Sequence, residues 1–325
     1  MNPEKTEEDQ MEEKNLYIKI AHWYYTLGMT QDEIAKRLSF TRQKVNRIIN
    51  SLVDQGIVSI TVNGYNTSHV NYESALEEYF HIRQVIIAES YDMENDFLPT
   101  LADRAAQYLE AFLQSDMTIG VSWGKTLAAV IARLPYKRRS DCTVVQMVGA
   151  QNITGDRMLK SDEVARSLAN KLDCACYMFY APTVVDYPET KTMLMKERTI
   201  RESFEWMKKC DVGLFGIGQL TKESTMFQRG FLKEKDIRQL LEDGFVGDIC
   251  MNHVRLDGSW DDNCMENRLN KAGMDILKNI PNVIAIAGGA DKTDAIIGCL
   301  NSGVVDILII DDLSAERIVK TLKLS

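Results

Sequence analysis

The stretch HWYYTLGMTQDEIAKRLSFTRQKVNRIINSLVDQGIVSITV, residues 22–62, decides how the N-terminal part of this chain folds. From Ile20, apolar residues recur at Trp23, Tyr24 and Leu27, the i, i+3, i+4, i+7 spacing of one buried helical face. Gly28 then ends that helix. Thr30 with Glu33 three residues on is a capping-box pattern, and Ile34, Ala35 and Leu38 give a second, short helix its inner face, stopping near Ser39. After Ser39-Phe40-Thr41, Thr41 is placed as the N-cap of a third helix that buries Val45, Ile48, Ile49 and Leu52. A connection this short has the length of a helix-turn-helix. Gly56 closes the third helix, Ile57–Val62 reads as a strand that forms a wing or packs under the module, and Asn63-Gly64 is a turn.

The third helix leaves Arg42, Gln43, Asn46, Arg47 and Asn50 outward, long hydrogen-bonding side chains with two guanidiniums that suit base edges and phosphates. Gln31, Thr41 and Lys44 join Arg42, Gln43, Asn46 and Arg47 in the set expected against double-stranded operator DNA. Taken alone, such a face is the ordinary solvated side of a helix. Charge distribution separates the two readings. Residues 1–14 carry two lysines against six acids, net −4, whereas residues 15–62 carry six Lys/Arg against three acids, net +3, and the rest holds −8 of a total of −9. A basic island in an acidic chain confines nucleic acid to one module.

At 325 residues, one small and one large domain are expected: an acidic disordered tail over 1–14, a DNA-binding domain over 15–63, and an effector-binding and oligomerisation domain over 64–325. No apolar run approaches the roughly 20 residues of a membrane span, and the acidic N-terminus is unlike a signal peptide, so a cytoplasmic protein without a membrane partner is expected. Seven cysteines is an odd count with no second pair at zinc-ribbon spacing; they read as reduced thiols, with no metal and no cofactor.

Beyond about residue 66, short apolar runs alternate with helical segments such as Pro99–Gln114. Candidate strands are Val85–Ala88, Thr118–Val121, Thr143–Val148, Tyr177–Tyr180, Val212–Ile217, Val283–Ala287 and Asp306–Ile310. Continuous apolar strands between helices imply a doubly wound, mostly parallel α/β sheet, which takes ligands at its carboxyl ends. Two of those ends suit an anion. Ser122-Trp123-Gly124-Lys125-Thr126 enters a helix over Leu127–Leu134, and Gly288-Gly289-Ala290-Asp291-Lys292 enters another, so backbone amides and a lysine charge can meet one phosphate or carboxylate. Neither loop is a Walker A or GxGxxG fingerprint, and a glycine turn between strand and helix is more often only a turn. Gly216 and Gly218 allow a ligand close to the backbone, and Asp248, in the glycine-rich turn Gly244–Asp248, either accepts sugar hydroxyls or simply caps a turn.

The motifs YY, TQ-x-E-I-A, L-x-x-x-R-x-x-V-x-R and GIV of residues 24–58 resemble the DNA-binding module of SorC-type sugar-responsive regulators. IGVSWGKT, VVQMVGA, Ala181-Pro182, GIG, GFVGDI, AGGADKTDAI and ILIIDD follow in the order of the effector domains of that family, so the likeness runs over about residues 16 to 320. Those domains are similar in fold to sugar-phosphate isomerases and glucosamine-6-phosphate deaminases. The resemblance implies a phosphate held by Ser122, Gly124, Lys125, Thr126 and Lys292, with Gly216, Gly218 and Asp248 near the sugar. It also implies an effector that is a phosphorylated sugar, sugar alcohol or signal metabolite. Two positions depart from the pattern: Ala150 stands where many relatives have glycine, and Gln146–Gly149 offers no lysine for an imine. A homodimer or, as in the family, a homotetramer is expected, because one helix-turn-helix makes too few contacts for specific affinity. The competing reading is an isomerase or deaminase with Asp248 and His253 as an acid/base pair, since one fold hosts both roles.

Overall fold

The computed structural model describes residues 7–59, 67–89, 97–150, 160–222, 224–228, 230–261 and 263–324. The chain divides into two compact units, Met1–Tyr65 and Asn66–Ser325.

The first unit is built from α1 (Glu7–Ala21), α2 (Gln31–Leu38) and α3 (Arg42–Ser51), packed around Ile20, Ile34, Val45, Ile49 and Leu52. Thr30 and Glu33 form the reciprocal capping box, and Ser39 turns the chain with a left-handed φ of 54°. Two expectations fail here. Residues 7–14, expected in a disordered tail, belong to α1, because the apolar residues that anchor its C-terminal half let the helix continue backwards and acidic sequence suits a helix N-terminus; residues 1–6 lie outside the described residues. Leu27 is 58% exposed rather than buried. The cause is the π-helical turn His22–Thr26, whose wider winding breaks the 3.6-residue phase that placed Leu27 inward. Ile57, Val58 and Ser59 are in no strand, and the remainder of the wing strand, with the Asn63-Gly64 turn, lies outside the described residues.

The second unit enters through α4 (Thr67–Phe80) and runs β1 (Gln84–Ala88), α5 (Leu98–Phe112), β2 (Thr118–Val121), α6 (Lys125–Arg133), β3 (Thr143–Gln146), α7 (Ser161–Leu172) and β4 (Ala175–Tyr177). It continues with α8 (Pro188–Leu194), α9 (Arg198–Met207), β5 (Val212–Gln219), α10 (Thr225–Gln228), α11 (Glu234–Glu242), β6 (Phe245–Ile249) and β7 (Asn252–Arg255). The last elements are α12 (Met274–Leu277), β8 (Val283–Ala287), α13 (Thr293–Asn301), β9 (Ile307–Asp311) and α14 (Asp312–Leu322). Seven strands form one parallel sheet in the order β1-β9-β8-β5-β2-β3-β4. Because strand side chains alternate, Ile86, Ile119, Val144 and Ile284 bury against α5, α6 and α7, while Val85, Val145, Phe215 and Ala285 bury against α4, α13 and α14. Both faces are covered, which is why these strands are apolar throughout.

The order reverses between β2 and β5. From β2 the chain crosses to β3 on one side; from β5 it goes on to β8 on the other. The crevice at the carboxyl ends of such a pair is where open parallel sheets bind ligands.

The segment Gly244–Asp248 is corrected from turn to strand. Gly244 closes the preceding helix with φ +82°, and Phe245–Ile249 is β6, hydrogen-bonded antiparallel to β7 and to the last three residues of β5. The actual turn is Cys250-Met251, both at positive φ, 52° and 61°. A two-residue hairpin favours that conformation, yet side chains such as these rarely adopt it.

Candidate functional site

In the first unit, Arg42, Gln43, Lys44, Asn46 and Arg47 are all exposed along α3, on the side opposite its buried Val45, Ile48 and Ile49. Thr41 is the cap of this helix: its hydroxyl accepts the Lys44 amide at 3.2 Å, so its oxygen is already engaged. Gln31, at the start of α2, donates its side-chain amide to Asn46 Oδ1 at 3.1 Å, which ties the two helices together at the outer face. Lys44 lies over the Phe40 ring at 3.7 Å, and Arg42 makes only a loose, exposed pair with Asp32 at 3.8 Å. Arg47 and Gln43 therefore present their polar ends outward, and Arg42 gives up little to do the same.

In the second unit, the sheet brings nine of the eleven expected effector residues around one cleft of about 230 Å³: Ser122, Trp123, Gly124, Lys125, Thr126, Gly216, Gly218, Asp248 and Lys292. It sits at the reversal between β2 and β5. The floor is the start of α6, whose cap Gly124 supplies no side-chain acceptor, so the first-turn amides point to the cleft unpaired by a cap. Such amides, with the helix dipole behind them, favour an anion. Lys292, entering from the turn after β8, donates to the Ile217 carbonyl at 3.3 Å. Burial lowers its ammonium below the ordinary value, while Asp291, Asp248 and Asp311 pull it back up.

Gly288 and Gly289 do not line the cleft. They form the turn that carries Lys292: the Gly289 amide donates to Asp311 Oδ2 at 3.0 Å, and a Cβ on Gly288 would stand 2.6 Å from the Phe97 ring.

Asp248 faces the cleft from β6 and also holds the strained hairpin, its Oδ2 accepting the Met251 amide at 2.9 Å. Sugar acceptor and turn cap were alternatives in the sequence; the turn-cap bond is present, and the other oxygen lies against Gly218, where any side chain would collide with it. Burial pushes this carboxyl up to about 6, opposed by the Met251 amide, Lys292 and Lys271. Asn252 secures the same turn by donating to the carbonyls of Ile249, Cys250 and Ala272.

The acid/base pair of the enzyme reading is not assembled. His253 sits opposite Asp248 in the β6–β7 register but lines a different cavity, with Asn252, Trp260 and Glu266. Neither of its ring nitrogens has a hydrogen-bond partner among the described residues, and burial depresses its pKa to about 3, so it is held neutral. Cleft residues not anticipated from sequence are Leu127, Ile217, Gln219, Ser224, Met226, Cys250 and Met251. Gln219 could have been found as the residue that follows GIG; Cys250 and Met251 carry no turn signature.

Two family models match the chain. The family model described as "Putative sugar-binding domain" matches residues 66–320, and that of the Crp-like helix-turn-helix domain matches residues 12–79. The chain is 27% identical over 314 residues to the deoxyribonucleoside regulator of Bacillus subtilis, covering 96% of this chain and 99% of that protein. A DeoR family transcriptional regulator from Listeria monocytogenes superposes with a TM-score of 0.72 at 32% identity, covering 77% of this chain and 99% of that one. The full-length sorbitol operon regulator SorC of Klebsiella pneumoniae superposes with a TM-score of 0.73 at 24% identity, over 94% and 98% of the two chains, a likeness of fold. No helix among the described residues is long and apolar enough to cross a membrane.

Proposed function

The chain belongs to the SorC-type family of sugar-binding transcriptional regulators, and from that premise we propose that a phosphorylated sugar, sugar alcohol or related metabolite, bound in the β2–β5 cleft, sets its affinity for operator DNA. It is a DNA-binding regulator; phosphorylation of the effector and the residues that hold it are our reading. The observation that carries this reading is the meeting, at one strand-order reversal, of the α6 N-terminus, Lys125 and Lys292, a charge set for one anion. In this reading the phosphate rests on Ser122, Gly124, Lys125, Thr126 and Lys292, and the remainder of the molecule extends past Gly216 and Gly218 towards Asp248. The relatives named for deoxyribonucleosides and for the sorbitol operon support a carbohydrate-derived ligand. We further propose a cytoplasmic homodimer or homotetramer whose paired modules read half-sites about 10 base pairs apart or multiples of that. His253, neutral, outside the cleft and with no hydrogen-bond partner for its ring nitrogens among the described residues, gives catalysis no support.

An effector changes operator affinity only if it binds the two DNA-binding states unequally, and couplings of about 5- to 150-fold are usual. The test is operator titration with and without a panel of sugar phosphates, with the bound mass read by light scattering. Lys292→Ala and Thr126→Ala should blunt the response and leave effector-free DNA binding near normal. Arg42→Ala or Arg47→Ala should weaken operator binding by about 1–3 kcal/mol with the effector response intact. An unchanged response in both cleft mutants would move the phosphate site elsewhere.

A further inference from the structure

The parallel partners of β5 stop at Gly216, and the strand then continues into antiparallel pairing with β6, Gly218 against Asp248 and Gln219 against Gly247. This continuation carries Gln219 to the cleft wall, one register position from Asp248. Gln219 Nε2 donates to Asp291 Oδ2 at 2.9 Å. Because a carboxylate oxygen can only accept, that bond fixes which end of the amide is which. The other end, Oε1, is buried and has no hydrogen-bond partner among the described residues. Buried amide oxygens are nearly always paired, and one left unpaired is costly.

The cleft is thus polar in two opposite senses. Its lining includes donors and cations, namely the first amides of α6, Lys125 and Lys292, and acceptors, the Gln219 oxygen and the Asp248 carboxylate, one of whose oxygens is already taken by the Met251 amide. Lys292 is near enough to Asp248 and Asp291 for their charges to act on it. A ligand that satisfies both kinds of group carries an anion and, beside it, hydroxyl donors. A second anionic group in place of the hydroxyls would face two acceptors. We propose that Gln219 is a specificity-determining residue whose amide oxygen, held in place by Asp291, accepts a hydrogen bond from an effector hydroxyl, so that the cleft selects hydroxylated phosphate esters over phosphorylated carboxylic acids. This rests on the reading of the cleft as an anion-binding effector site. It adds the reason for which class of phosphate compound is taken.

The test is calorimetric titration of the full-length protein with inorganic phosphate, phosphoenolpyruvate, glucose 6-phosphate, ribose 5-phosphate and glycerol 3-phosphate. At least one hydroxylated ester should bind about ten-fold or more tightly than both inorganic phosphate and phosphoenolpyruvate. Gln219→Met, which keeps length and removes the acceptor, should cut that preference about ten-fold and leave inorganic phosphate binding unchanged. Asp291→Ala, which frees the amide to rotate, should erode the preference in the same direction by a smaller factor. If inorganic phosphate binds, Lys292→Ala weakens it, and Gln219→Met keeps full preference, the role of Gln219 is overturned while the anion site stands. The same holds if no ester surpasses inorganic phosphate. If inorganic phosphate does not bind, or binds equally well to Lys292→Ala, the cleft reading fails and this proposal with it. A general loss of structure would lower phosphate and ester binding together and reduce Tm, which would also overturn a specificity role.

Discussion

The turns after β2 and β8 each leave a buried parallel strand through glycine and a lysine into a helix, yet their glycines answer different physical demands. At Gly124 a side chain would find nothing within 4 Å, but the backbone stands at φ +126° and ψ 164°, a region almost closed to other residues. At Gly288 the backbone is ordinary, and it is space that is lacking: a Cβ would meet the Phe97 ring at 2.6 Å and Asp311 Oδ2 at 2.7 Å. The first glycine leaves room beside a helix N-terminus. The second lets Asp311 reach the Gly289 amide and so fixes the turn from which Lys292 projects. Similar loops in sequence thus have one member built around the cleft and one built around its support.

Gly288→Ala should have the largest effect on stability. Asp311 is buried and committed twice, accepting the Gly289 amide at 3.0 Å and the Ser314 amide at 2.9 Å as the cap of α14, so it cannot retreat without loss. Overpacking of this kind costs about 1–3 kcal/mol, and the upper end is expected where a capping bond is strained as well. Denaturant unfolding should show a lower midpoint with an unchanged slope. A variant as stable as the parent would mean that the turn after β8 has room to spare, and the contrast between the two loops would collapse.

The contrast also marks what the sequence could show. The ends of β2 and β8 are legible to the residue because each is a short apolar run closed by a small residue, and strand burial alone explains it. Strand β4 is shifted, Ala175–Tyr177 instead of Tyr177–Tyr180, because the Phe179 amide is taken by the side-chain oxygen of Gln146 at 3.1 Å rather than by a ladder partner. Strands β6 and β7 were hidden by Gly244 and Gly247 and by a turn, Cys250-Met251, made of residues that seldom form one. Gly247 is there because a Cβ would collide with the Ala295 Cβ and lie 2.7 Å from Gly218 O, demands set by a helix nearly 50 residues later and a strand nearly 30 residues earlier in the chain. Periodicity reports which face of an element is buried; it does not report which distant strand will press on it. For that reason the outward face of α3 was readable in full, whereas the cleft was readable at its loops and at Gly216, Gly218 and Asp248 but not at Gln219, Cys250 and Met251, which the pairing of β5 with β6 and the turn after it bring there.

Gly124→Ala should come second. No clash opposes the new methyl, so the cost is that of forcing a non-glycine residue into its backbone conformation, about 1–3 kcal/mol. The start of α6 can relieve this strain by rotating, and rotation would turn its amides away from the cleft. The expected result is moderate loss of stability together with loss of phosphate binding, a pairing that Gly288→Ala should show only in proportion to unfolding. Calorimetry well below the transition, where both variants are folded, separates the two outcomes. Intact phosphate affinity in Gly124→Ala would detach the anion site from this helix.

Gly216→Ala should disturb the fold least, and it isolates what the other two substitutions mix. Its backbone is not in the left-handed region, and a Cβ would come no nearer than 3.9 Å to Ile286 O and 4.0 Å to Trp123 O, ordinary contact distances. Neither strain nor overpacking applies, so stability should stay within about 0.5 kcal/mol of the parent, as for substitutions that create no clash or cavity. The new methyl nevertheless belongs to a residue that lines the cleft. If the ligand lies close against this backbone, one added methyl removes the space it needs, and the operator response should fall about ten-fold with DNA binding in the absence of effector unchanged. Inorganic phosphate, small enough to occupy only the anion site, should bind as before. A full response to the effector in this variant would mean that the ligand does not pass over β5, and the cleft would have to be reassigned to the α6 side alone.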